Sequence, residues 1–159
     1  MSLASAFDAA YKGDDSALSA WVVRNRGHVD DLGDRGASLL YTAARFGHFR
    51  CAHTLVINGF GNVNVVNSSS DGSTPLHGAC YGGHPDIVAL LMAFGAFTEM
   101  PNKLKETPKV NAKRPAAGVD PAKATLCGQL LDDPQRAAKV LDAALKSESL
   151  SLKDPDEHE

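Results

Sequence analysis

The side chains best suited to chemistry in this sequence are three cysteines, Cys51, Cys80 and Cys127, and six histidines, His28, His48, His53, His77, His84 and His158. A nucleophilic thiol needs an imidazole within reach, and Cys80 with His77 or His84 is the pairing on offer. A zinc site needs ligands at short paired spacings. The cysteines form no CxxC, the histidines no HxxxH, and no carboxylate lies at helical spacing between two histidines. An odd cysteine count does not make a disulfide framework, so reduced thiols are expected. GxSxG, HExxH and a Gly-rich phosphate loop ending in Lys-Ser/Thr are all missing from the sequence. Gly59-Phe60-Gly61 lacks the third glycine of a dinucleotide loop and follows a helical pattern. No catalytic residue, metal, cofactor or small-molecule substrate is expected.

The elements that hold these side chains must come from 159 residues, 43% hydrophobic and 22% charged, with a formal net charge of −3. That is enough chain for one domain's core, and the composition excludes collagen-like or wholly disordered chains. No apolar run approaches the roughly 18 residues of a spanning helix, and the opening MSLASAFDAAYKGDD lacks the basic and apolar regions of a secretory signal. The expectation is a soluble, intracellular chain in the cytoplasm, with the nucleus also open to it. The near-neutral charge balance disfavours nucleic acid as a partner.

Three segments repeat. Ala9-Ala10-Tyr11-Lys12-Gly13-Asp14, Ala43-Ala44-Arg45-Phe46-Gly47-His48 and Ala79-Cys80-Tyr81-Gly82-Gly83-His84 are spaced by 34 and then 36 residues. Each precedes an apolar helical stripe: Ala17, Leu18, Trp21 and Val22; Cys51, Ala52, Leu55 and Val56; Ile87, Val88, Leu91 and Met92. Each unit therefore holds two short helices, the first closed by glycine. Thr74 before Pro75 is an N-cap and N1 pair.

The run Asp71-Gly72-Ser73-Thr74-Pro75-Leu76-His77-Gly78-Ala79-Cys80, with Gly83-His84, Ile87-Val88, Leu91-Met92 and Gly95-Ala96, closely resembles the ankyrin repeat. The unit with Gly36, Ser38, Leu40 and Tyr41 matches less closely, the first keeps only the helical core, and a fourth starts at Thr107-Pro108 and departs at Lys109 and Pro115. The resemblance covers residues 4 to 112 and implies an all-α ankyrin solenoid with β-hairpin-like fingers. Repeats fall near 1–33, 34–68 and 69–101, with a degenerate fourth at 102–119. It also implies a structural role for His77, bonded to neighbouring turns.

The second connection is about three residues long for the period, and Asn62 to Ser70 places the insertion at a finger. Asn67-Ser68-Ser69 is a glycosylation sequon that an intracellular chain would not use. Residues 97 to 119 carry Lys103, Lys105, Lys109, Lys113 and Arg114 among prolines; a solvated linker is the favoured reading and a contact with an acidic partner or nucleic acid the other. Asp120-Pro121 and Asp133-Pro134 open a helical pair over 120–146, with Ala137, Val140, Leu141, Ala144 and Leu145 on one face of its second helix. A cap on the last repeat is preferred to a pair that recruits another chain. From 147 to 159, five acidic residues and little bulk read as a disordered tail.

The resemblance implies a non-catalytic protein-binding module, an adaptor, scaffold or regulatory subunit, with monomer favoured. An ankyrin domain of a larger enzyme and a self-associating structural domain are the alternatives. The expected partner-binding residues are Tyr11, Lys12, Arg45, Phe46 and Tyr81 on the inner helices. On the fingers they are Asp34, Arg35, Ser70, Asp71, Ser73, Lys103 and Leu104, with Ala37 and Glu106 beside them. The competing reading is that Phe46 and Tyr81 only pack against adjacent turns.

Overall fold

The computed structural model describes residues 1–152. Among them helices follow one another without a strand, as the all-α reading requires. They pair as α1 (Leu3–Lys12) with α2 (Asp15–Arg24), α3 (Leu39–Phe46) with α4 (Phe49–Ile57), α5 (Pro75–Gly82) with α6 (Pro85–Ala93), and α7 (Pro108–Lys113) with α8 (Pro121–Leu131). A last helix, α9 (Pro134–Glu148), stands outside this pairing.

Each first helix starts and stops for a local reason. Ser2, Ser38 and Thr74 accept the amides of Ser5, Tyr41 and His77, so one orphan donor at each N-terminus is satisfied. Gly13, Gly47 and Gly83 then reverse the chain at φ of 80°, 79° and 72°, a region costly for any residue with a Cβ. The period comes from the recurrence of these starts and stops.

The first helices stack in order, α1 on α3, α3 on α5 and α5 on α7, while α2 packs on α4 and α6 on α8. Close stacking needs small side chains, and Ala9, Ala10, Ala43, Ala44, Ala79 and Cys80 fill the contact while excluding solvent. The second helices add bulk through Leu18, Val22, Leu55, Ile87, Val88, Leu90 and Leu91, all buried. One core thus runs the length of the stack.

The expected fingers are turns, each closed by a backbone bond across its base and tightened by others within it. Gly33 N–H donates to Ala37 O, Asn67 N–H to Ser73 O and Asn102 N–H to Glu106 O, each at 2.9 Å. The middle loop is the longer, with two more residues between its closing pair than either neighbour has. Asn67 itself is buried, its Oδ1 accepting Ser38 N–H at 3.2 Å, so the sequon asparagine latches one finger to the next.

The C-terminal third divides differently from expectation. Residues 108–113 are helical with Pro108 and Ala112 buried, so that part of 97–119 is no solvated linker. The helix is short because Pro115 follows it. α8 packs on α7 and α6 and completes a fourth rung, and it also meets α9, the other helix of the expected pair. α9 lies along α6 and α8 through buried Ala137 and Leu141, with Val140, Ala144 and Leu145 half-buried beside them. Its end reaches back to α4: Arg50 Nε donates to Glu148 Oε2 at 2.7 Å, and His53 Nε2 lies 2.5 Å from Ser151 O. Disorder over 147–159 is thus corrected for 147–152, and the rest of that expectation lies outside the described residues.

Candidate protein-binding surface

The three glycine-closed helices deliver their last side chains to one side of the stack. Tyr11, Phe46 and Tyr81 are 55%, 42% and 36% exposed, so their rings border solvent and are not enclosed in the core. They also meet across rungs. The Tyr11 and Phe46 rings sit edge to face with centroids 4.6 Å apart. The Arg45 guanidinium lies 5.1 Å from the Phe46 centroid and 4.5 Å from that of Tyr81. Residues up to 70 positions apart in the chain form one strip of ring, ring, guanidinium and ring.

The backbone beneath this strip is fixed from the following rung each time. His48 Nε2–H donates to Tyr11 O at 2.8 Å, and His84 Nε2–H to Arg45 O at 3.2 Å. Both imidazoles lie over the glycine that ends the earlier helix; a Cβ on Gly13 or Gly47 would strike the ring. At the next step no histidine is present. Ala116 N–H donates to Tyr81 O at 2.9 Å, and Val119 covers Gly83. Helix-end carbonyls without partners inside their helices are thereby satisfied.

His77, the histidine nearest the suspected thiol, is buried and fully engaged. Its Nδ1 accepts Thr74 N–H at 3.0 Å, and its Nε2–H donates to Glu106 O at 2.8 Å, tying the fourth finger to the third rung. Burial is the main reason its pKa lies below the usual imidazole value. Burial also pushes the Cys51 and Cys127 thiols up to about 12 and raises that of Cys80, so these sulfurs stay protonated and unreactive. Among the described residues no group of three or more His, Cys, Asp or Glu could hold a metal ion. No helix there is long and apolar enough to cross a membrane.

A family model for ankyrin repeats, in three copies, matches residues 6–102. The chain belongs to the ankyrin-repeat family. A curated relative, protein phosphatase 1 regulatory subunit 27 from Mus musculus, is 29% identical over 91 residues. That match covers 57% of this chain and 57% of the relative, so the chain spans little more than half of that protein's length.

Not every expected contact residue reaches the ankyrin surface. Lys12, Asp34, Arg35, Ser70, Asp71, Lys103 and Leu104 are exposed, and Arg45 is half-buried beneath its rings. Ser73 is a correction: it is 3% exposed, and its Oγ accepts from Asn102 Nδ2 at 3.3 Å inside the finger stack. The position next to the tip turns inward because Asn102 needs that acceptor. Ala37, its counterpart one finger earlier, is half-buried.

Sequence reasoning passed over a second exposed region. Phe60 and Phe94, with Val63 and Asn64, line a cleft of about 520 Å³ at the loops that follow the second helices. Arg26 lies 5.3 Å from the Phe60 centroid. Phe94 and Phe97 flanking Gly95-Ala96 were the available signal, since bulky rings beside a turn glycine have no core position to fill.

Proposed function

We propose that this chain is a non-catalytic protein-interaction module, a regulatory or adaptor subunit that binds a protein partner through its inner-helix face and fingers. The observation that carries the reading is the strip of Tyr11, Phe46, Arg45 and Tyr81, which crosses three rungs and borders solvent throughout. Aromatic rings and arginine are the residue types that dominate interface energies, because they combine large rigid area with a polar edge. The mouse relative's regulatory name supports a regulatory role, and the catalytic subunit of protein phosphatase 1 is the first partner to test. Three unpaired buried thiols suit a reducing compartment, the cytoplasm or nucleus. Both α8 and α9 pack on α6, which suits the capping role expected of residues 120–146.

The test uses the full chain and a Phe46→Ala/Tyr81→Ala variant, compared for capture of purified phosphatase catalytic subunit and of partners from lysate. The double variant is expected to lose about 2 kcal/mol or more of binding while melting within a few degrees of the parent. Unfolding of the variant would make the rings core residues. A folded variant with unchanged capture would move recognition to the fingers or to α9.

A further inference from the structure

Five of the chain's 16 lysines and arginines crowd into the last finger and α7. Residues 103–114 hold Lys103, Lys105, Lys109, Lys113 and Arg114 against one carboxylate, Glu106, in a chain whose formal net charge is −3. Three of the five cations are engaged. Lys103 Nζ donates to Ser68 O at 2.6 Å, Lys109 pairs with Asp132, and Arg114 pairs with Glu106 at 2.9 Å. Lys105 and Lys113 are exposed, and no carboxylate lies in ion-pair range of either among the described residues.

Lys105 also holds a conformation that does not suit it. It has φ 62° at the fingertip position where the two preceding fingers have Gly36 at 74° and Gly72 at 73°. Glycine adopts this region at no steric cost and lysine does not. A strained backbone that presents a free charge is the kind of outlier from which a functional role is inferred.

The basic end joins the aromatic strip. The bond from Ala116 N–H to Tyr81 O seats the Lys113–Arg114 end of α7 against the rung that carries Tyr81. The Arg45 guanidinium sits against two rings, and among the described residues no ion pair engages it, so its N–H groups can meet a carboxylate.

We propose that the inner-helix face takes an extended acidic peptide segment of a protein partner. An aromatic or large apolar side chain of that segment sits on Tyr11 and Phe46, and its carboxylates run over Arg45, Lys113, Arg114 and Lys105. The proposal rests on the reading of this face as the binding surface. A peptide is favoured over a nucleic acid because the rest of the chain carries a net negative charge that would repel a long polyanion.

The experiment measures fluorescence anisotropy of labelled synthetic peptides with the full chain. One set carries a tryptophan and a run of alternating glutamate and serine, in either order; the controls replace every glutamate by lysine or the tryptophan by alanine, and an oligothymidylate is a further probe. Only the intact acidic peptides are expected to bind, weakening about tenfold between roughly 0.05 and 0.5 M salt. Lys105→Gly is expected to weaken them severalfold while raising the melting temperature, a pairing that a purely structural lysine would not produce. Phe46→Ala/Tyr81→Ala is expected to abolish binding. If lysine and glutamate peptides bind alike and both depend on Phe46 and Tyr81, the acidic partner is wrong and the surface reading survives. Tighter binding of oligothymidylate with the same Lys105 dependence overturns the peptide in favour of a nucleic acid. Acidic-peptide binding indifferent to Phe46, Tyr81 and Lys105 sinks the surface reading as well, and no binding by the acidic peptides up to about 1 mM overturns the proposal.

Discussion

In the third rung Gly72 makes the fingertip turn, Thr74 caps α5, Leu76 enters the core, His77 bridges to the next finger and His84 clasps the rung before it. In the fourth, the matching positions hold Lys105, Thr107, Lys109 and Val110, and the clasp is a backbone amide at Ala116. The backbone is alike at the fingertip and the helix start, but the side chains that enforce it are not, and α7 ends at Arg114 without the left-handed reversal of Gly83. The third rung has neighbours on both sides and is specified by its own residues. The fourth has a neighbour on one side only, so its outward positions are free to carry charge. Its helix stays in place because α5, α8 and Pro108 hold it.

The sharpest break in this comparison is expected at the matched pair Leu76 and Lys109. Leu76 is fully buried, so Leu76→Ala leaves a cavity between rungs and should cost about 2 to 5 kcal/mol. Lys109 is exposed and pairs with Asp132, and Lys109→Ala should cost no more than about 1 kcal/mol. Urea melts of the two variants measure both. Equal losses would mean that the fourth rung is built from its own core contacts after all.

Acid should find the third rung before the fourth. Burial holds the pKa values of His77 and His84 below the ordinary imidazole value, and the fourth rung has no imidazole at either place. The unfolded chain therefore binds protons near pH 6.5 that the folded chain refuses. The stability these two sites contribute is complete above that pH and is lost as the pH falls toward their folded values. Asp86, whose pKa burial raises, has the opposite sign and offsets part of the fall. Melting temperatures taken from pH 7.5 down to 5.5 should decline, and less steeply in His84→Gln than in the parent. A parallel decline in the variant would remove His84 from the account.

The same contrast decides what could be read from the sequence. Gly13, Gly47 and Gly83 announce the period because a left-handed helix end accepts little else, and Thr74 with His77 announces a capped turn because those side chains do the bonding themselves. The fourth rung was hidden because its clasp is an amide, which any residue but proline supplies, and because Lys109 breaks the apolar register where the core ends. The apolar stripe of α9 was legible and its destination was not. The contacts that fix its end, Arg50 to Glu148 and His53 to Ser151, join residues 98 positions apart and have no counterpart in the repeat. On the binding face, Tyr11, Phe46 and Tyr81 could be projected from helix register, whereas Ser73 could not, since Asn102 turns it inward from another finger.

The smallest and cleanest comparison is between the two threonines that open α5 and α7. Thr74 is 1% exposed, its hydroxyl accepts the His77 amide, and the His77 ring accepts the Thr74 amide in return, so two donors are satisfied without water. Thr107 has the same extended backbone, φ −84° and ψ 165°, but its side chain caps nothing. Thr74→Ala removes a bond and strands a buried amide, and should cost about 1 kcal/mol. Thr107→Ala should fall within about 0.5 kcal/mol of the parent, because its hydroxyl caps no amide and Val110 N–H already donates to the Thr107 carbonyl at 3.0 Å. Denaturant midpoints of the two single variants and the double variant check both values. Additive losses are expected, since the two caps share no partner. A loss at Thr107 as large as that at Thr74 would show that the fourth rung is closed by its own cap, and the difference drawn between the two rungs would then have to rest on Leu76 and the histidines alone.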